Sequence, residues 1–263
     1  VVYVLYLSLQ NYSSETPFWI GLANYGELLF RDEKFWTYFL HSMEYVLIAI
    51  GTGFIAGLLV ALSLNAINRF QGTFRAVALI AWAVPPVIAS LMWKWILNDT
   101  NGAINDILFR LHVIGNPVPW LSLPVGTMVV LGLVHAWTVT PFIMVILLAG
   151  LQSIPVELSE SAEIDGAGSL MRFRRITYPL LKPAVLSAVM ISSIFAFRTI
   201  DIVFTLTKGG PGDATEMLVT YVYDSAFRFM KLGYAAAISV IMVIISMLMV
   251  LFFVKVIRTE SLD

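Results

Sequence analysis

Two ionisable residues, Arg198 and Asp201, stand three positions apart in a stretch of sequence that is otherwise largely apolar. If that stretch crosses a membrane, each charge costs about 2.5–3.5 kcal/mol at the bilayer centre, so both side chains must face protein or water. Residues three apart on a helix share a face. The carboxylate could then accept hydrogen bonds from solute hydroxyls while the guanidinium donates them. Alternatively, the two form an ion pair that only orders the helix.

A denser group of charges occupies ESAEIDGAGSLMRFRRITYPLLKP, Glu160–Pro183, between apolar stretches. The acids at its start form one face of a predicted helix, because Glu157, Glu160 and Glu163 recur every three residues. The segment is either a solvated loop with a basic cluster or a surface that meets a soluble partner. Its seven charged residues are Glu160, Glu163, Asp165, Arg172, Arg174, Arg175 and Lys182.

Other kinds of chemistry have little support in this sequence. Zero cysteines exclude structural disulfides and thiolate metal sites. The three histidines, His41, His112 and His135, are scattered without HExxH spacing, so no zinc site is predicted. The sequence has neither a P-loop nor a GxSxG elbow, and we therefore expect this chain not to hydrolyse ATP itself.

The composition places these residues on membrane helices. Of the 263 residues, 59% are hydrophobic and only 13% are charged, about half the usual share in soluble domains, and the mean hydropathy is +0.85. The net charge of −1 gives no basic excess of the kind that indicates a nucleic-acid partner. We therefore predict an all-α, polytopic bundle embedded in a lipid bilayer.

Spans are predicted from length, because about 20 apolar helical residues cross the hydrocarbon core. The opening VVYVLYLSLQNY is only about half that long, and we interpret it as the end of a truncated first helix. About six transmembrane helices are thus expected, in a single domain 1–257 with a cytoplasmic tail 258–263. The five longer candidates are about 43–66, 74–97, 125–150, 183–207 and 233–256.

The density of Lys and Arg predicts the orientation of the bundle. Basic residues are concentrated in short segments that include 160–183, which is therefore assigned to the cytoplasm. As many lie on the opposite side, but they are spread over longer segments that carry most of the acids. The segments 11–42, 98–124 and 208–232 are accordingly expected to face outward.

Small residues, prolines and tryptophans predict how the bundle packs. Ala49, Gly53, Gly57 and Ala61 recur every four residues and predict a face that a neighbouring helix approaches closely. Pro85 and Pro86 predict a kink in the third span, which would either line a cavity or fit a neighbouring helix. The tryptophans near span ends are interpreted as interfacial aromatics; they are Trp82, Trp93, Trp95, Trp120 and Trp137.

Within the charged segment, capping signals predict two short helices. Ser153 is a candidate N-cap for the first, which should end at Gly166, a residue suited to a left-handed turn. Ser169 is a candidate N-cap for the second. Pro179 and Pro183 are then expected to redirect the chain into the next span.

The same segment carries a resemblance to a known family. Its pattern resembles the EAA signature of ATP-binding-cassette (ABC) importer permeases, with Ser161 and Tyr178 standing where alanine and leucine are usual. The resemblance implies that 153–182 is a coupling loop that docks into a groove on a separate cytosolic ATPase. The residues that this assigns to the coupling contact are Glu160, Ala162, Asp165, Gly166, Ala167 and Arg172.

A second resemblance indicates the subfamily. The stretch Ile194–Tyr223, and LTKGGPGDAT at Leu206–Thr215 above all, is similar to the permeases of carbohydrate importers, of the type that includes the maltose permease subunit. The similarity follows the span order from Val1 to Ile257. It implies the type I importer permease fold and a disaccharide or oligosaccharide substrate, with trehalose and maltose as examples. Arg198, Asp201 and Thr205 are then the candidate translocation path.

The family resemblance also implies partners and a location. A second permease, two copies of the ATPase and an extracytoplasmic solute-binding protein are expected, in a bacterial inner membrane. No cofactor is expected in this chain, since ATP and Mg²⁺ would bind the ATPase. One alternative is a secondary transporter with Asp201 as its proton or sodium site, which the missing internal repeat disfavours. The other is an ABC permease for amino acids or phosphonates, which Leu206–Thr215 disfavours.

Overall fold

The computed structural model describes residues 1–12, 17–67, 71–123 and 126–260, without the side chains of 257–260. A short antiparallel pair, β1 (Gln10–Asn11) and β2 (Phe18–Trp19), lies near the start of an otherwise helical chain. The helices are α1 (Val2–Ser8), α2 (Ala23–Phe30), α3 (Glu33–Ala66), α4 (Gln71–Ala83), α5 (Pro86–Ile96), α6 (Ala103–Arg110), α7 (Gly126–Gln152), α8 (Val156–Ile164), α9 (Ser169–Arg172), α10 (Tyr178–Arg198), α11 (Asp201–Leu206), α12 (Leu218–Tyr223) and α13 (Leu232–Glu260), with π turns at Phe173–Thr177 and Asp224–Arg228.

Five candidate spans occur in the described part of the chain, as the sequence predicts. Four unbroken helical segments are long and apolar enough to cross a membrane: Glu33–Ala66, Gly126–Gln152, Ser169–Arg198 and Leu232–Val256. The fifth is α4 with α5, two helices that meet at an angle of 91°. The seven-residue α1 is shorter than a span and packs against α13. The predicted tail 258–263 continues α13 as far as Glu260, and 261–263 lie outside the described residues.

The α3 helix begins about ten residues earlier than the sequence predicts. Asp32 caps it, because its Oδ1 accepts hydrogen bonds from the backbone N–H of Lys34 (3.0 Å) and Phe35 (3.4 Å). At 34 residues, α3 is about 51 Å long, well beyond the roughly 30 Å of the hydrocarbon core. The last part of the segment 11–42 is therefore the first part of this helix.

The centre of the bundle is the contact between α3 and α7. The predicted face of small residues is confirmed there, because Ala49, Gly53, Gly57 and Ala61 are all buried. A Cβ added to Gly57 would lie 2.9 Å from the side chain of Ile143 on α7. The two helices therefore approach as closely as glycine and alanine allow.

The prolines at the end of the charged segment do not redirect the chain. Ser169–Arg198 is one continuous helical span that includes Pro179 and Pro183, so that prediction was wrong. The physical reason is that proline is tolerated inside membrane-spanning helices, where neighbouring groups satisfy the backbone carbonyl that each proline leaves without a donor. Pro179 also lies in the first turn of α10, directly after the π turn.

Candidate functional site

A cavity of about 490 Å³ lies where two of the spans are interrupted. Its walls come from the break between α4 and α5, the middle of α7, the end of α10 and the start of α11. The α7 residues that line it fall between His135 and Phe142, midway along that helix. We call this space the central cavity, since it lies near mid-depth of the bundle.

Pro85 and Pro86 create the first interruption. Pro85 takes an extended conformation (φ −55°, ψ 136°) and Pro86 opens α5, where its missing N–H costs no hydrogen bond. The predicted kink is thus confirmed, and it is a complete break of 91°. Of the two roles left open by the sequence, the structure supports the first, because Pro86 lines the central cavity.

Arg198 and Asp201 lie on either side of the second interruption. Thr199 has an extended backbone (ψ 115°), so α10 ends at Arg198 and α11 starts at Asp201. The prediction that both residues share the face of one helix was therefore wrong. The Thr199 hydroxyl donates to the carbonyl of Phe195 (2.7 Å), a bond that competes with the backbone and favours a helix end.

The break leaves both charges facing the central cavity. No ion pair joins the Arg198 guanidinium to the Asp201 carboxylate, although both residues are in the described part of the chain. Arg198 also borders a second groove, along α12 and α13. The alternative of a helix-ordering ion pair thus finds no support, and both groups are free to meet a solute.

Thr205 is not among the residues that line the central cavity. It lies on α11, and its backbone carbonyl accepts a hydrogen bond from Lys94 Nζ (3.0 Å) on α5. The contact fastens the helix after the second break to the helix after the first. Sequence spacing places Thr205 one turn beyond Asp201. The hydrogen bond from Lys94 to its carbonyl depends on the tertiary arrangement, which spacing does not show.

An aromatic wall faces the cavity, which the sequence did not indicate. Trp82 and Phe142 stack with ring centroids 6.1 Å apart and planes 23° apart. Phe195 meets Phe142 edge-on at 6.4 Å. Trp82 was interpreted as an interfacial residue, but it lines the cavity beside these two rings. The sequence signal that was missed is the position of Trp82, two residues before Val84 and three before the Pro85–Pro86 break.

Polar groups on α7 complete the cavity lining. Thr138 and the almost fully buried His135 both contact the cavity. His135 Nδ1 lies 2.6 Å from the hydroxyl of Tyr45, a buried residue of α3. Sequence reasoning considered His135 only as a metal ligand, and no group of His, Cys, Asp or Glu among the described residues could hold a metal ion.

After the C-terminal end of α7 comes the loop formed by α8, α9 and the turn between them, which we call the coupling-type loop (Val156–Arg172). Its turn is a Schellman motif: the N–H of Ala167 donates to Ala162 (2.9 Å) and that of Gly166 donates to Glu163 (3.0 Å). Gly166 has φ +80°, as predicted for a left-handed helix end. Ala162 and Ala167 leave this turn narrow.

The predicted serine caps of this loop were wrong. Pro155 rather than Ser153 precedes α8, and the Ser153 hydroxyl donates back to Gly150 of α7 (2.8 Å). Gly168 precedes α9, with Ser169 as its first residue. Pro155, two residues after Ser153, and Gly168, directly before Ser169, occupy the N-cap positions without a side-chain cap, so neither serine hydroxyl is required.

The loop presents both charge and apolar surface to solvent. Glu160, Asp165 and Gly166 are exposed, and Ile164 is 87% exposed. Arg172 forms an ion pair with Glu163 that joins α9 to α8. The structure thus brings the predicted coupling residues together on one compact projection.

Around the N-terminal ends of α3 and α13 lies a larger cavity, of about 760 Å³. Asp32 Oδ2 accepts hydrogen bonds there from the hydroxyls of Tyr221 and Tyr234, both at 2.5 Å. The neighbouring Glu216 accepts from Thr220, and burial raises the pKa of the Glu216 carboxyl. Asp32 thus ties α12, through Tyr221, and α13, through Tyr234, to the start of α3.

Comparison with known families now identifies the chain. Residues 28–259 match the family described as binding-protein-dependent transport system inner membrane component. The chain belongs to this family. As an inner membrane component of such a transport system, it is a transporter subunit, which agrees with its five candidate spans.

Two similar relatives are named permease proteins. This inner membrane component is 39% identical over 247 residues to the trehalose/maltose transport system permease protein MalF of Thermococcus litoralis, covering 92% of the chain and 80% of the relative. It is 35% identical over 261 residues to the sulfoquinovosyl glycerol transport system permease protein SmoG of Agrobacterium fabrum, covering 99% and 84%.

Solved structures support the fold. A chain of a bacterial ABC transporter involved in the import of the acidic polysaccharide alginate matches with a TM-score of 0.81 at 22% identity, covering 98% of this chain and 89% of that one. A chain of the MetNI methionine ABC transporter matches with a TM-score of 0.61 at 16% identity, covering 87% and 99%. The predicted ABC importer permease fold is therefore confirmed.

Proposed function

We propose that this chain is the permease subunit of an ATP-driven ABC importer for a sugar, a disaccharide or an oligosaccharide, and forms half of its translocation path. The observation that carries the proposal is the central cavity, which combines an aromatic wall with a small number of polar side chains. The names of the relatives point the same way, since they describe transport of trehalose, maltose and sulfoquinovosyl glycerol.

The chemistry of the cavity suits a sugar. Binding sites for small molecules are usually about 300–1,000 Å³ and place few polar groups among apolar and aromatic ones, and the central cavity is about 490 Å³. The C–H faces of a sugar ring can pack on Trp82 and Phe142, while its hydroxyls exchange hydrogen bonds with Arg198 and Asp201. A mid-depth site at broken helices is also where transporters commonly bind substrate.

The coupling-type loop supports a partner that supplies the energy. Its exposed Glu160 and Ile164 offer a charged and an apolar contact to a soluble protein. We assign ATP and Mg²⁺ to two copies of a cytosolic ATPase. Closure of the ATPase would pull this loop and that of a second permease together, and rocking of the two permeases would open the path toward a solute-binding protein.

The ion-driven alternative is weaker on the same geometry. A proton or sodium site at Asp201 would share the central cavity with the fixed positive charge of Arg198, which disfavours a cation. The non-sugar ABC alternative has fold likeness behind it, as the methionine transporter shows. The methionine transporter chain is 16% identical to this one, whereas the two sugar-named relatives are 35% and 39% identical.

The test is transport by the complete importer in proteoliposomes. Labelled trehalose, maltose and sulfoquinovosyl glycerol are offered with the solute-binding protein outside and ATP inside. We expect uptake of at least one of them that requires ATP and persists when ionophores collapse the ion gradients. Uptake that needs a gradient and no ATP would overturn the proposal, as would ATP-driven uptake of methionine with none of the sugars.

A further inference from the structure

The central cavity contains one histidine whose hydrogen bonding is fixed from behind. His135 is 5% exposed and Tyr45 is 0% exposed, so neither side chain meets bulk water. Their rings meet at 5.3 Å with a 66° angle between planes, and the Tyr45 hydroxyl lies 2.6 Å from His135 Nδ1. The pair joins α3 to α7 at the level of the cavity.

The direction of this hydrogen bond follows from the partners available. The buried Tyr45 hydroxyl has one proton to donate, and His135 Nδ1 is its partner among the described residues. If Nδ1 donated instead, the phenolic O–H would be buried without an acceptor, which is costly. Tyr45 therefore donates, Nδ1 accepts, and the imidazole proton resides on Nε2.

The other ring nitrogen reaches the cavity. His135 Nε2 has no hydrogen-bond partner in the described part of the protein. Nε2 is also not fully buried. Among the described residues, the fully buried side-chain N and O atoms without a hydrogen-bond partner are Arg75 Nε and Ser192 Oγ, and Nε2 is not one of them. Since His135 lines the central cavity, Nε2–H is a donor presented to whatever occupies that space.

We propose that His135 is a specificity-determining residue that donates an Nε2–H hydrogen bond to one hydroxyl or ring oxygen of the transported sugar, and that Tyr45 is the residue that positions it. The inference rests on the proposed function and deepens it. Because the tautomer fixes Nε2–H as the donor, His135 can recognise one oxygen of the solute. The mobile guanidinium of Arg198 can donate to several different oxygens.

The first experiment measures the tautomer and needs no knowledge of the sugar. The permease in its assembled complex is labelled with ¹⁵N-histidine, and solid-state NMR identifies which ring nitrogen carries the proton. The chain has three histidines, so only three contribute signals. The signal that disappears in His135→Gln is that of His135. We expect an Nε2–H imidazole that loses this preference in Tyr45→Phe. An Nδ1–H imidazole in the unaltered protein would overturn the proposal.

The second experiment measures specificity with a matched pair of variants. His135→Gln keeps an amide near the position of Nε2, whereas His135→Asn reaches only that of Nδ1. ATP-driven uptake of labelled trehalose and of its monodeoxy analogues is compared in proteoliposomes. We expect the wild type and His135→Gln to discriminate against one analogue by about tenfold, the value of one lost hydrogen bond, and His135→Asn to transport it as well as trehalose.

The outcomes separate the two proposals. No ATP-driven sugar uptake by the wild type would contradict the proposed function, while the tautomer measurement still decides the role of Tyr45. Wild-type uptake with the same discrimination in His135→Asn would reject the role of His135 alone. Equal losses of uptake for every analogue, with unchanged discrimination, would show that the histidine only supports the packing of α3 on α7.

Discussion

The coupling-type loop and the central cavity are built in opposite ways. The loop is one continuous segment held by local contacts, such as the bond from Ala167 to Ala162 and the ion pair between Glu163 and Arg172. The cavity is assembled from three separate stretches of the chain, 82–86, 135–142 and 195–201, and two of them lie at helix breaks. A site that is contiguous in sequence carries its own signature, whereas a site assembled by folding does not.

The two regions also use charge differently. In the loop the acidic side chains are exposed to solvent, where a charge costs little. In the cavity, Arg198 ends α10 and Asp201 begins α11, so both charges lie at a break in the span. A charge there avoids the cost of burial in lipid. Under the proposed function, charge in the loop contacts a protein, while charge in the cavity contacts a solute.

The largest expected effect comes from removing both cavity charges. Arg198→Ala with Asp201→Ala should abolish ATP-driven sugar uptake, because the polar groups that hold the solute are lost, while the subunits still assemble. Uptake in proteoliposomes and co-purification of the ATPase measure the two properties. Uptake at the wild-type level by the assembled double variant would contradict the assignment of the two cavity charges to the solute.

A glycine pair should separate the loop from the cavity. Gly166→Ala forces a Cβ onto a residue with φ +80°, which costs about 1–2 kcal/mol, and should reduce sugar-stimulated ATP hydrolysis several-fold. Gly168→Ala, two residues on, is the control, because its φ is −66° and a Cβ there meets nothing within 4 Å. Equal effects of the two substitutions would contradict the role of the Schellman turn.

A second glycine pair lies on α3, which packs against the cavity-lining helix α7. Gly57→Ala places a Cβ 2.9 Å from Ile143, and such overpacking costs about 1–3 kcal/mol. Gly51→Ala on the same helix meets nothing within 4 Å and should leave stability unchanged or slightly higher. The Tm of the purified complex distinguishes them, and a Tm for Gly57→Ala no lower than that for Gly51→Ala would refute the close packing of α3 on α7.

The smallest effect is expected for the ion pair across the loop. Arg172→Ala and Glu163→Gln should each lower the thermal stability of the complex slightly, since exposed pairs contribute about 0.2–1 kcal/mol and are screened by salt. A double-mutant cycle on Tm at low and high salt measures the coupling between them. Additive effects at low salt would mean that the pair does not hold α9 on α8.

The same contrast explains how much of the fold and site could be predicted from sequence. Length and hydropathy predict the spans, and the spacing around Gly166 predicts the loop, because both signals are local. The break at Thr199 was missed, since hydropathy does not report a single extended residue inside an apolar stretch. Trp82 and His135 were missed as cavity residues because their role depends on Phe142 and Tyr45, which belong to other helices.

The most direct test of the account uses the absence of cysteine from this chain. A single cysteine replaces Ala167 at the tip of the coupling-type loop, and another is placed in the surface groove of the candidate ATPase. Disulfide formation is then measured in membranes with and without ATP. We predict a crosslink whose yield changes with nucleotide. If the pair never crosslinks while both proteins are folded and present, the loop is only solvated, and the coupling of this permease to an ATPase through Val156–Arg172 is contradicted.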